Sequence, residues 1–277
     1  MLITKNAFDY VADLVREKAA IVLDAGKEYL VEARLAPLAR EEGLPDVEAL
    51  IERIQEPTNE RLRERVVDAM TTNETSFFRD VVPFDILKNS ILPEIIERRN
   101  GTKRLTIWSA ACSTGQEPYS IAMLLREFPA LQGWDLRILA TDLSSAVLER
   151  AASGTYRQME VNRGLPATLL VKYFTQRDAV WVAKPEIRDI IEFSSINLAK
   201  PWKPGPTVDV MFLRNVMIYF DEETKKRILD QAHKCIARDG YLFLGAAETT
   251  MRLHDGFVRM PFDRACCYRI VDEAGGQ

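Results

Sequence analysis

The feature that most constrains this chain is a change of hydrophobic rhythm near residue 84. Before it, apolar residues recur only at helical spacing; after it, short β-rich runs alternate with helical stretches. Phe8, Val11, Ala12 and Val15 form one helical stripe, and Leu30, Ala33, Leu35 and Leu38 a second, ended near Gly43-Leu44-Pro45. Val47, Leu50, Ile51 and Ile54 form a third, closed before Pro57, and Leu62, Val66, Val67 and Met70 a fourth. Short connections between such helices predict a compact bundle over residues 1–70.

A helix over Phe84–Ile95 opens the second region, and a basic turn at 98–104 follows it. The runs Leu105–Ala110, Leu136–Thr141, Val208–Leu213 and Gly240–Gly245 read as strands, and 118–128, 144–152 and 221–236 as helices. Strands alternating with helices predict an α/β fold, a doubly wound and mostly parallel sheet covered on both faces. Residues 155–205 break the rhythm with two β-like runs, Ala179–Val182 and Ile190–Phe193, read here as one small inserted antiparallel element. Phe257–Met260, a turn at Pro261–Arg264 and Cys266–Ile270 read as a terminal antiparallel hairpin.

Composition narrows the function classes. At 277 residues, one large domain plus a small one is the natural expectation. The net charge of −4 disfavours a general nucleic-acid binder. Residues 1–70 hold 10 Lys and Arg against 15 Asp and Glu, a net −5, whereas the rest hold 27 against 26, a net +1. Four cysteines and two histidines, with no C-x-x-C or H-x-x-x-H spacing, predict no metal site. Adjacent Cys266 and Cys267 should point to opposite faces of their strand. No apolar leader opens the chain and no apolar run suits a membrane helix, so a cytoplasmic protein is expected.

Two positions carry a nucleotide-like signal. Ser109 through Gly115 is an almost unbroken run of small side chains after a strand, which lets backbone approach a ligand; a tight packing turn is the alternative. Asp142 stands at the end of the next strand, 27 positions beyond Gly115, where an acid commonly accepts hydrogen bonds from ribose. Capping of the following helix is the competing role for Asp142, and Ser144 could fill that role equally well. Nicotinamide and S-adenosylmethionine sites share both features. The single glycine and the terminal hairpin favour S-adenosylmethionine; a nicotinamide oxidoreductase and a non-catalytic module of the same fold are the competing readings.

Four tracts, in order along nearly the whole chain, resemble the CheR-type chemotaxis receptor methyltransferases. They are Met70–Asp80 (MTTNETSFFRD), Trp108–Ser120, Ala140–Ser144 and Phe212–Phe220 (FLRNVMIYF). The resemblance implies an all-helical domain over 1–70, a linker over 71–84 that contributes to the cofactor site, and a methyltransferase domain over 85–277 with a β subdomain at about 155–205. It further implies that Asn73, Thr75, Arg79, Glu117, Asp142, Asn197, Leu198, Arg214 and Asn215 bind S-adenosylmethionine, with Asp142 on ribose and Asn197-Leu198 beside adenine. Tyr219 is implied to line the methyl-transfer site, and Arg79 is expected to orient the substrate glutamate or the cofactor carboxylate through paired hydrogen bonds; a structural salt bridge and a core tyrosine are the alternatives. The implied substrates are glutamate side chains on the cytoplasmic domains of chemoreceptors, and a monomer is expected.

Two departures stand out. In the family, the helical head is thought to recognise receptors through basic residues, yet this head is acidic; Arg53, Arg61, Arg63 and Arg65 are its candidates, with a solvated face as the alternative. Some members bind a receptor-tail pentapeptide through a glycine-containing insertion in the β subdomain. Here Tyr173–Trp181 is short and has no glycine, so tight pentapeptide binding is not expected.

Overall fold

The computed structural model describes residues 3–262 and 265–270. It divides into two compact units, one comprising residues up to Thr72 together with Tyr219–Thr224, the other comprising Asn73–Ile218 and the chain from Lys225 onward.

The first unit is built on α1 (Lys5–Ala19), α2 (Glu28–Glu41), α3 (Val47–Gln55) and α4 (Glu60–Met70). The Thr4 hydroxyl accepts the Ala7 N–H and the Asp46 carboxylate the Ala49 N–H, so α1 and α3 begin where a side chain satisfies an orphan donor. The predicted stripes supply most of its core, Val11, Val15, Leu35, Leu50, Ile54 and Val66 being essentially inaccessible, but in α2 Val31 is buried where Leu30 is only partly so and Ala33 is exposed. Arg63 donates to the carbonyls of Ile54, Glu56 and Pro57, and Arg65 pairs with Glu41 and Glu42. Both are therefore spent on holding the bundle, while Arg53 and Arg61 are exposed.

The second unit opens with α5 (Val82–Ile86), a π turn (Leu87–Ile91) and α6 (Leu92–Arg99). Pro93 has no N–H to offer the Asn89 carbonyl, and the wider turn just before it accommodates that loss. The strands are β1 (Arg104–Ala110), β2 (Asp135–Asp142), β3 (Thr155–Arg157), β4 (Phe174–Arg177), β5 (Val180–Ala183), β6 (Ile191–Ser195), β7 (Val208–Leu213), β8 (Ile236–Leu244), β9 (Phe257–Arg259) and β10 (Cys266–Ile270). Between them lie α7 (Gln116–Arg126), α8 (Ser145–Ser153), α9 (Gln158–Val161), α10 (Ala167–Tyr173), α11 (Pro185–Arg188) and α12 (Glu222–Cys235).

The main sheet has the order β6-β2-β1-β7-β8-β10-β9 and is parallel except for β10, which runs antiparallel to both β8 and β9. Every residue of β7 is buried, as expected for a strand covered on both faces. The terminal hairpin is present as expected, although residues 263–264 of its turn lie outside the described residues. Cys267 is buried and Cys266 only partly so.

The insertion corrects one expectation. Ala179–Val182 belongs to a small antiparallel sheet, β3-β5-β4, but Ile190–Phe193 does not. That run forms β6, which pairs parallel to β2 at the edge of the main sheet. An alternating apolar run signals a strand without naming its partner, and the true partners of β5 are the short polar runs Thr155–Arg157 and Phe174–Arg177.

Candidate cofactor site

Sheet order places β1 between β2 and β7, so the connection leaving β1 runs to β2 on one side and the one leaving β7 runs to β8 on the other, the position where open α/β sheets bind ligands. The turn after β1 is tightly wound. Ala111, Ser113 and Gly115 all have positive φ, and Asn215 after β7 and Phe78, Asp80 and Val81 in the linker share this conformation. Left-handed backbone at non-glycine residues is costly, and its concentration around one crevice marks a site held in shape by its surroundings.

Asp142 is the charged centre of that crevice. Its carboxylate is 8% exposed. One oxygen accepts the Ser113 N–H at 2.8 Å and the other the Ser144 N–H at 3.1 Å. It thus ties the turn after β1 to the turn after β2 instead of reaching into α8 as a helix cap. Burial pushes its pKa upward, partly opposed by these backbone donors. A desolvated carboxylate can only accept hydrogen bonds, and its two oxygens offer about four lone-pair sites, more than its backbone donors engage. That donor-free, acceptor-rich chemistry fits a pair of ribose hydroxyls. The segment expected beside adenine lies next to it, because the Ile196 N–H donates to the Asp142 carbonyl at 2.9 Å. Asn197 and Leu198 follow directly, Leu198 is buried, and the Trp202 indole N–H fixes the Leu198 carbonyl at 3.1 Å.

Gly115, the lone glycine, has a packing role as well. A Cβ there would come within 2.9 Å of Ala151 Cβ and the Tyr156 hydroxyl, so it sets how closely α7 approaches α8 and β3.

The linker forms the crevice's other wall and is fastened along its length. The Ser113 hydroxyl donates to the Asn73 carbonyl at 2.9 Å, and the Phe78 N–H to the Ser120 hydroxyl at 2.9 Å. Phe77 is fully buried, with its ring 5.0 Å from that of Tyr156 and 5.8 Å from that of Phe174. Its N–H meets the Arg163 carbonyl, and a Cβ on Gly164 would lie 2.0 Å from the Phe77 carbonyl oxygen, so only glycine fits there. Asn73 and Thr75 face Thr114 and Gln116 across a cleft of about 350 Å³.

Arg214 completes the fastening. Its guanidinium, 1% exposed, donates to Glu117 at 2.9 Å, Asp80 at 2.7 Å and the Arg79 carbonyl at 3.1 Å. The other oxygen of Glu117 accepts from the Ser109 hydroxyl at 2.7 Å. Arg214 and Glu117, both expected to touch the cofactor, are thus each other's partners in a buried network that holds the linker against β1 and β7. Arg79 itself is partly exposed and donates to the Glu74 carbonyl. Tyr219 groups with the helical unit, where its carbonyl accepts the Val22 N–H at 2.9 Å.

Gly164 and Glu248 were not singled out by sequence, and Ser109, Ser113 and Phe77 only as members of their tracts. Glu248, considered below, carries a faint signal as the acid three residues beyond a strand-ending glycine.

Two family patterns match in tandem: "CheR methyltransferase, all-alpha domain" over residues 6–71 and "CheR methyltransferase, SAM binding domain" over residues 73–266. The chain belongs to the CheR methyltransferase family. Chemotaxis protein methyltransferase 1 of Pseudomonas aeruginosa is 42% identical over 95% of this chain and 97% of its own length. Chemotaxis protein methyltransferase Cher2 of Pseudomonas putida is 42% identical over 90% and 92%, and a chemotaxis protein methyltransferase of Vibrio parahaemolyticus 36% over 92% and 94%. This CheR-family chain is therefore an S-adenosylmethionine-dependent methyltransferase, and the nicotinamide reading is set aside. Among the described residues no helix is long and apolar enough to cross a membrane, and no group of three or more His, Cys, Asp or Glu could hold a metal ion.

Proposed function

We propose that the chain transfers the methyl group of S-adenosylmethionine to glutamate side chains on the cytoplasmic domains of chemoreceptors, forming methyl esters. The observation that carries this reading is the match, over 95% of the chain, to a protein named for chemotaxis methylation. The chemistry agrees. When bound, the cofactor supplies an electrophilic methyl carbon on a sulfonium. A glutamate is already ionised near neutral pH, since its ordinary pKa is about 4.3, and needs no general base.

What the chain must supply is alignment, which can contribute on the order of 7–11 kcal/mol when reacting groups are well oriented. Asp142 receives the ribose hydroxyls, Asn197 and Leu198 border the adenine, and Asn73, Thr75 and Asn215 line the remainder of the crevice. Glu117 and Arg214 act by holding the linker in register. Arg79 orients a carboxylate, either the cofactor's own or the substrate's, through the paired donors of its guanidinium. Tyr219 positions the acceptor oxygen, a role that rests on the family resemblance of its motif. The enzyme works as a monomer.

Pentapeptide independence is part of the proposal. Arg177 pairs with Val180, so β4 and β5 are joined by the two residues Asp178 and Ala179, with no room for an inserted recognition loop. Micromolar affinity for a receptor-tail peptide, measured by calorimetry, would overturn that point.

The deciding experiment incubates the protein with methyl-labelled cofactor and a panel of receptor cytoplasmic fragments. Base-labile label on glutamate is expected with wild type and is expected to be largely lost with Arg79→Ala. Label appearing on no fragment would remove the receptor assignment, and undiminished transfer by Arg79→Ala would remove that residue's role.

A further inference from the structure

Glu248 lies outside every tract that carried the family resemblance, and its surroundings are unusual. Its carboxylate is 6% exposed and is surrounded by backbone donors. One oxygen accepts the N–H groups of Gly245 at 2.7 Å and Asn215 at 2.8 Å. The other accepts those of Val216 at 2.9 Å, Met217 at 2.7 Å and Ile218 at 3.3 Å. β7 and β8 are parallel neighbours in register at Leu213 and Leu244, so the two chain segments leaving them start side by side. One side chain thus binds both exits of the sheet at its ligand-binding end. It also satisfies the donors of a segment that begins at left-handed Asn215 (φ 59°) and has no ladder of its own.

The local sequence is built around this contact. A Cβ on Gly245 would lie 2.7 Å from the Glu248 carboxylate oxygen and 2.8 Å from Asn215 Nδ2, so glycine leaves the space the carboxylate occupies. The Glu248 N–H returns to the Gly245 carbonyl at 3.0 Å and closes a turn that aims the side chain inward.

We propose that Glu248 is a positioning residue for methyl transfer, clasping Asn215–Ile218 in the conformation that presents Asn215 to the reacting groups. This rests on the reading of Asn215 as a residue of the cofactor crevice. The carboxylate is needed as such. An amide in its place would turn one oxygen into a donor facing either the Gly245 and Asn215 N–H groups or those of Val216, Met217 and Ile218.

The test compares Glu248→Gln, Asn215→Ala and the double variant in the full chain, measuring kcat for labelled methyl transfer, KM for S-adenosylmethionine and the Kd of S-adenosylhomocysteine. Glu248→Gln should lower kcat about 10- to 100-fold while KM and Kd move less than about threefold, as expected when geometry is lost and ground-state binding is kept. In the double variant Glu248→Gln should add little to the loss from Asn215→Ala, because both act through one segment. An undiminished kcat in Glu248→Gln, or losses that simply add, overturns the positioning role. A wild-type Asn215→Ala instead sinks the crevice assignment of Asn215, a distinguishable failure. Should Glu248→Gln not fold, Gly245→Ala, which pushes a methyl group against the same carboxylate oxygen, is expected to show the same split, and full activity there overturns the proposal.

Discussion

At the amino end of β7, buried Asp209 accepts the Thr106 N–H at 2.9 Å and Arg99 Nε at 3.1 Å, and Arg99 in turn grips Asp239 with two further bonds. At the opposite end of the sheet, Asp142 is equally buried but is held by backbone N–H groups alone, those of Ser113, Leu143 and Ser144, with no cation beside it among the described residues. The arginine beside Asp239 holds that acid below its ordinary value, whereas burial without a counter-charge raises Asp142. An acid saturated by protein partners contributes to stability; one left under-satisfied is held ready for something that arrives later. Burial alone therefore does not distinguish Asp209 from Asp142; the presence or absence of a counter-charge does.

The sharpest way to break the comparison is Asp142→Asn. S-adenosylhomocysteine affinity should fall about 10- to 100-fold, the worth of hydrogen bonds to a charged acceptor, while the melting temperature drops by only about 2–4 °C, because the amide nitrogen must face one of the two backbone N–H groups that the carboxylate accepts. Unchanged affinity in calorimetry would return Asp142 to a purely structural role. Next in size, Arg99→Ala strips Asp209 of its cation and leaves Asp239 with Arg98 alone, and should cost about 2 kcal/mol, seen as a melting point lower by several degrees with ligand affinity intact. A loss of ligand binding there would mean that the two ends of the sheet are coupled.

Acid titration sharpens the contrast through opposite signs. The stability from Asp239 is present above its unfolded value of 3.8 and is lost as pH falls through its lower folded value. Asp142 does the reverse: its ionised form costs stability above its raised folded value, and protonation relieves that cost as pH falls toward 3.8. S-adenosylhomocysteine affinity should therefore weaken with falling pH before the fold does, and Asp142→Asn should flatten that dependence. The smallest effect is expected from Arg104→Ala, whose pair with Asp135 is exposed on both sides; about 0.5 kcal/mol or less, with unaltered binding, is the baseline for the rest.

Much of this was legible beforehand for reasons that are local. Helical stripes such as Val47, Leu50, Ile51 and Ile54 follow from a 3.6-residue period, and the buried run of β7 from its unbroken apolar character. The small-residue turn and Asp142 are visible because close backbone approach and ribose recognition each restrict residue type at a strand end. Ile191–Ser195 was misplaced because strand pairing is a long-range choice, made where β2 offered an open edge. The mutual pairing of Glu117 and Arg214 was not legible, because a motif records which residues are needed, not which neighbours they meet.

The order of residues alone determined the two-part layout, the alternating strands and helices, and the acid at the end of β2. Only tertiary structure decided that Glu248 closes around Asn215, that Arg214 spends its charge on Glu117 and Asp80, and that Asp142 keeps capacity to spare. The physical reason is that hydrogen-bond saturation belongs to neighbours brought together from distant parts of the chain, and no local pattern encodes who those neighbours are.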